Sequence, residues 1–165
     1  MFDERLSESA AELIGFYRAR GLTLATAESC TGGLVAGLIT SIAGSSDVLE
    51  RGLVTYSNLS KAECLGVDAA LLDRFGAVSA EVAQAMAVGL LDRSPADVAV
   101  SITGIAGPGG GSDEKPVGLV HFGCARRGAP LTLVEKRFGD LGRTKVRLAA
   151  VTVALDLLLQ AAGAP

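Results

Sequence analysis

A short apolar run, Leu22 to Ala25, meets the turn-forming stretch Thr26-Ala27-Glu28-Ser29-Cys30-Thr31-Gly32-Gly33. Beyond it Leu34, Val35, Leu38, Ile39 and Ile42 recur at helical spacing up to Gly44. A strand that turns sharply into a helix leaves its turn at the carboxyl edge of a sheet, where the first N–H groups of the helix lack intrahelical partners. Those donors and the positive helix end favour an anion, so Ser29 stands where its own oxygen, or the oxyanion of a group it attacks, is stabilised. A purely structural reading stands beside this one: Thr31 caps the helix and the two glycines permit the turn.

The remainder of the chain repeats the alternation. Leu6, Ala10, Leu13, Ile14 and Tyr17 mark a packing helix that Gly21 ends. Leu49 to Tyr56 reads as a second strand, and Ser57 or Asn58 caps a short helix with Lys61 in its first turn. Leu65 to Gly76 gives two short helical turns, and Ser79 caps a helix that Ser94-Pro95 ends. Ala96 to Thr103 is apolar enough for an interior strand. Val117 to Ala125 and Leu131 to Phe138 make an antiparallel hairpin, and a long helix follows Gly139-Asp140-Leu141-Gly142-Arg143. This order predicts a three-layer α/β/α sandwich on a mixed, mainly parallel sheet, with residues 1–165 as a single domain.

Composition removes several function classes. No apolar segment is long enough to cross a bilayer, and Met-Phe-Asp-Glu-Arg lacks the start of a secretory signal, which places the protein in the cytoplasm. Cys30, Cys64 and Cys124 are scattered, and His121 is the only histidine, so neither a metal site nor a histidine proton relay is expected. His121 itself reads as a satisfied strand residue. A net charge of −3 without tryptophan argues against nucleic acid as a partner. Ala-rich apolar helices point to a homo-oligomer.

Chemistry therefore has to come from other side chains. A lysine at a helix start is disfavoured as a cation by the helix dipole, so Lys61 is expected to have a lowered pKa and to serve as a base, although a solvated surface lysine fits the same position. Gly104 to Pro116 is too glycine-rich to pack a core and too long for a plain connection between strands, so it reads as a ligand-binding loop. Arg143 and Arg147, one helical turn apart, suit an external phosphate, or one of them pairs with Asp140. At the carboxyl edge of one sheet, Ser29, Tyr56 and Lys61 make a hydrolytic set without histidine. Lys61 accepts the serine proton, Tyr56 positions the amine or relays the proton, and N–H groups around Thr31 and Gly32 hold the oxyanion. Cys30, next to the serine, is the alternative nucleophile.

Thr26-Ala-Glu-Ser-Cys-Thr-Gly-Gly33, Val54-Thr-Tyr-Ser-Asn58 with Lys61 following, Thr103-Gly-Ile-Ala-Gly-Pro108 and Lys115-Pro-Val-Gly118 together resemble the CinA C-terminal family in order and over nearly the whole chain. The resemblance implies a metal-independent and cofactor-independent nicotinamide mononucleotide amidohydrolase, releasing nicotinic acid mononucleotide and ammonia. It carries the nucleophile onto Ser29 and the family's tyrosine and lysine onto Tyr56 and Lys61. Cys30, Thr31, Gly32, Gly33, Thr103, Gly104 and Gly107 then surround the substrate, and the phosphate falls to Arg143, with Arg147 as the second candidate. Relatives with an additional N-terminal domain are common, and this chain resembles the stand-alone form. A non-catalytic nucleotide-binding or regulatory module is the competing expectation.

Overall fold

Strands β1 (Leu24–Glu28), β2 (Leu49–Val54), β3 (Val98–Gly104), β4 (Leu119–Arg126) and β5 (Thr132–Arg137) form one sheet in the order β2-β1-β3-β4-β5. The computed structural model describes residues 2–164. β2, β1 and β3 are paired in parallel, β4 runs antiparallel to β3, and β5 runs antiparallel to β4. Four of the five strands therefore point one way, and the sheet is mixed. Interior burial accounts for the composition of β1 and β3: all five residues of β1 are buried, and so are the first six of β3.

Helices α1 (Glu4–Arg20), α2 (Leu34–Thr40) and α6 (Arg143–Ala161) cover one face of this sheet. Leu13, Leu38, Ile39, Phe122, Val151 and Leu155 lie in the core beneath them, each fully buried apolar side chain contributing about 2 kcal/mol. Helices α3 (Asn58–Leu65), α4 (Ala69–Phe75) and α5 (Ala80–Asp92) lie over the other face, on a core that contains Leu65, Met86 and Leu90. The result is the three-layer α/β/α arrangement expected from the order of elements.

Local signals explain the helix ends. Asp3 accepts a hydrogen bond from the Leu6 N–H at 2.8 Å, and Gly21 closes α1 with φ 63°. α3 starts at Ser57 rather than Asn58, with a reciprocal capping box between Ser57 and Ser60. Where α5 crosses α3, a Cβ at Gly89 would lie 1.9 Å from the Leu65 carbonyl oxygen, so the two helices approach as only glycine allows.

Two boundaries differ from the sequence reading. β1 extends through Thr26, Ala27 and Glu28, because the polar side chains of Thr26 and Glu28 are buried and satisfied inside the protein rather than exposed in a turn. β2 stops at Val54, which leaves Thr55 and Tyr56 in the connection, where Thr55 still donates its N–H to the Glu28 carbonyl at 2.9 Å.

Candidate active site

The chain leaves β1 for β2 on one side and then returns across it to place β3 on the other. Strand order thus reverses between β1 and β3, and the crevice beyond their carboxyl ends is where open α/β sheets bind ligands. Ser29 directly follows β1, its N–H donating to the Ile102 carbonyl of β3 at 2.9 Å. A cavity of about 280 Å³ opens there. Ser29, Cys30, Tyr56, Lys61, Thr103, Gly104, Gly107 and Arg143 line it, whereas Thr31, Gly32, Gly33 and Arg147 do not.

The turn after Ser29 is held by a group that the sequence reading assigned no task. Glu28 is fully buried, and its carboxylate accepts from the N–H groups of Gly33 (3.0 Å), Val35 (3.1 Å) and Ala36 (2.9 Å). A carboxylate on the positive end of a helix is favoured both by the dipole and by the orphan donors it satisfies. It displaces Thr31 from the expected cap: Gly33 is the N-cap residue of α2, and the buried Thr31 hydroxyl has no hydrogen-bond partner. An acid just ahead of a helix start was the available signal. Gly32 and Gly33 take positive φ values of 60° and 90°, and the Gly32 N–H returns to the Ser29 carbonyl at 3.0 Å. Neither glycine therefore has a free N–H for an oxyanion. Among the described residues, the N–H groups of Cys30 and Thr31 are the ones in this turn with no backbone acceptor, and that of Cys30 lies against its own thiol.

Lys61 is the fourth residue of α3 and points inward, with 1% of its surface exposed. Its Nζ lies 3.2 Å from Ser29 Oγ and donates to the Thr55 carbonyl at 2.7 Å. The amine's pKa is lowered, chiefly because burial penalises the ammonium, with the neighbouring Cys30 thiol opposing the shift. Desolvation is thus the leading cause, in place of the helix dipole expected from sequence. The solvated-surface alternative does not describe this side chain. Burial also pushes the Cys30 thiol up to about 11, so near neutral pH it is protonated and a poor nucleophile.

Tyr56 and Arg143 meet at the mouth. Tyr56 is 60% exposed, and its hydroxyl accepts from Arg143 Nη2 at 2.9 Å, while Arg143 Nη1 donates to the Gly107 carbonyl at 2.9 Å. The amine of Lys61 is positioned by the Thr55 carbonyl and not by Tyr56. Arg147 sits one turn further along α6 and donates from Nε to the Cys30 carbonyl at 3.1 Å and from Nη2 to the Thr31 carbonyl at 2.8 Å. Among the described residues, neither arginine pairs with Asp140. Thr103 lines the wall but commits its hydroxyl to the Ala77 carbonyl at 2.7 Å. Ala77 and Val78, between α4 and α5, complete an apolar side for which the sequence carried no signal.

The charged side chains on the cavity wall are Lys61 and Arg143, and among the described residues no carboxylate lines it. An anionic ligand with a carbonyl centre suits such a lining. His121 lies away from this cavity, 8% exposed on β4, its Nε2 3.8 Å from Glu135. Among the described residues no three His, Cys, Asp or Glu side chains converge as a metal site would require.

Comparison with known proteins gives a consistent result. The nicotinamide-nucleotide amidohydrolase PncC of Escherichia coli strain K12 is 51% identical over 161 residues, covering 97% of this chain and 96% of that protein. A protein of the same description from Enterobacter agglomerans is 50% identical, with 97% of each chain covered. The crystal structure of the competence/damage inducible protein CihA from Agrobacterium tumefaciens superimposes with a TM-score of 0.96 at 52% identity, covering 98% of both chains. The sequence model of the CinA C-terminal domain matches residues 6–162. The chain belongs to the CinA C-terminal domain family.

Proposed function

We propose that this protein hydrolyses the carboxamide of nicotinamide mononucleotide, giving nicotinic acid mononucleotide and ammonia. The carrying observation is the buried Lys61 amine 3.2 Å from Ser29 Oγ in a cavity whose mouth holds Arg143. Relatives at half identity over nearly their whole length are nicotinamide-nucleotide amidohydrolases, which supports this substrate.

Neutral Lys61 takes the Ser29 proton as Oγ bonds to the carboxamide carbon. The carbonyl oxygen becomes an oxyanion, which the N–H of Cys30, on the cavity wall, receives. The Lys61 ammonium then protonates the leaving nitrogen, the C–N bond breaks, and ammonia departs. Water attacks the resulting acyl-enzyme, with Lys61 again accepting the proton and returning it to Ser29. Arg143 binds the phosphate, Tyr56 and Gly107 hold that guanidinium in place, and Thr103 and Gly104 shape the wall beside the ring. The scheme uses no metal and no cofactor.

The same reading makes residues 1–165 one amidohydrolase domain working in the cytoplasm, for which the three free cysteines suit a reducing compartment. No nucleic-acid or membrane partner is part of it, and no helix of the described chain is long and apolar enough to cross a membrane. Exposed Val54, Tyr56 and Leu59 favour a homo-oligomer, which a monomeric mass by light scattering would refute.

The test is ammonia release from nicotinamide mononucleotide in the presence of a chelator, beside Ser29→Ala. Release by the wild type alone supports the scheme. Release by both sinks the serine nucleophile, and binding without release by either turns the protein into a nucleotide-binding module.

A further inference from the structure

Arg147 is a buried-side companion of the Ser29 turn that the hydrolytic scheme leaves without a task. Its guanidinium faces the turn from α6, does not line the cavity, and spends Nε and Nη2 on two successive backbone carbonyls, those of Cys30 and Thr31. A planar trans peptide carries its N–H on the edge opposite its C=O, so a carbonyl that is held fixes the direction of the following residue's N–H.

Two chains of constraint follow from that geometry. Holding the Cys30 carbonyl fixes the Thr31 N–H, which has no backbone acceptor among the described residues. Holding the Thr31 carbonyl fixes the Gly32 N–H, which is spent on the Ser29 carbonyl at 3.0 Å. The Ser29 carbonyl in turn shares its peptide with the N–H of Cys30, a residue of the cavity wall that has no backbone acceptor for that donor. Both donors therefore take their direction from one side chain. Glu28 braces the turn from its other end by holding the Gly33, Val35 and Ala36 N–H groups. Gly32 and Gly33, each at positive φ, lend the segment no stiffness of their own.

We propose that Arg147 is the positioning residue that, through the Thr31, Gly32 and Ser29 peptides, aims the Cys30 N–H at the oxyanion. This rests on the reading of Ser29 as nucleophile. It also divides the two arginines: Arg143 lines the cavity and serves the phosphate, whereas Arg147 acts on the reacting centre through the backbone and has no contact with the substrate.

The experiment separates turnover from binding. Turnover number is measured with nicotinamide mononucleotide for wild type, Arg147→Met and Arg147→Lys. The dissociation constant of the same nucleotide is measured by calorimetry in the Ser29→Ala background, with and without Arg147→Met. Expected for Arg147→Met is a loss of turnover of about a hundredfold, comparable with removing an oxyanion donor, with the dissociation constant changed by less than about threefold. Added guanidinium ion at millimolar concentration should restore part of the turnover of Arg147→Met. Arg147→Lys, whose single ammonium reaches one carbonyl, should fall between the two. A circular dichroism melt establishes that each variant is folded.

Wild-type turnover in a folded Arg147→Met or Arg147→Lys overturns the proposal. So does a rise of about tenfold or more in the dissociation constant, which would make Arg147 a phosphate ligand after all. If Ser29→Ala itself releases ammonia, the parent reading fails visibly and this one falls with it.

Discussion

Lys61 Nζ and Ser29 Oγ lie 3.2 Å apart, although one belongs to helix α3 and the other to the turn after β1, 32 residues away in sequence. The amine has one further partner, the Thr55 carbonyl, and that contact leaves its lone pair free to face the serine once a proton is lost. Substituting Lys61 by Arg keeps a cation at the site but removes a group able to give up its proton. Turnover by Lys61→Arg and by Lys61→Met is expected to fall by about 10²–10⁴-fold, measured as ammonia release. Arg at full activity would exclude lysine as the base.

Burial lowers the Lys61 pKa, so turnover should rise with pH to a plateau whose midpoint lies below the ordinary lysine value. Stability carries the same signature with a definite sign. Between the lower folded-state pKa and the ordinary unfolded-state value, the unfolded chain binds more protons, so the wild type gains stability as pH rises through that interval. Lys61→Met lacks this response. The difference in melting temperature, wild type minus variant, should therefore increase with pH across the interval, and a flat difference would show the amine to be unperturbed.

Glu28→Ala would orphan three backbone donors at the start of α2. A loss of about 3 kcal/mol of unfolding free energy is expected, from buried donors left unpaired and a charged acceptor removed. Glu28→Gln, with one acceptor oxygen in place of two, should lose about 1–2 kcal/mol. Urea denaturation measures both. Equal stability of Glu28→Ala and wild type would mean that the carboxylate is not the cap.

Arg143→Met should raise KM for nicotinamide mononucleotide by about 10–100-fold, the worth of a charge-assisted contact to phosphate. Turnover at saturation should change far less, and nicotinamide riboside, which lacks the phosphate, should show no such rise in KM. Equal penalties on nucleotide and nucleoside would assign Arg143 to another part of the substrate.

Much of this arrangement was legible in the residues. Period-2 and helical spacing gave each major element its place in order, because apolar side chains at those intervals have to be buried. Ser29, Lys61 and the loop from Gly104, read in the sequence as site candidates, line one cavity in the structure. Thr26 and Glu28 were not read as strand: their burial depends on hydrogen bonds to residues in other segments, which polarity along one chain does not show. Lys61 was assigned a lowered pKa for the wrong leading reason, because desolvation comes from packing that local sequence does not display. Spacing alone left Arg143 and Arg147 as equivalent phosphate candidates, and the family resemblance put Arg143 first. One helical turn separates them, and only the docking of α6 beside the Ser29 turn decides which reaches the cavity.

Gly89 is remote in sequence from Ser29 and Lys61, yet a single methyl group there would collide with the Leu65 carbonyl, one turn beyond Lys61 on α3. The approach of Lys61 to Ser29 thus depends on how closely α5 rests upon α3. A variant bearing any side chain at this position should keep its catalytic residues and still lose its chemistry, having moved the proton acceptor out of range.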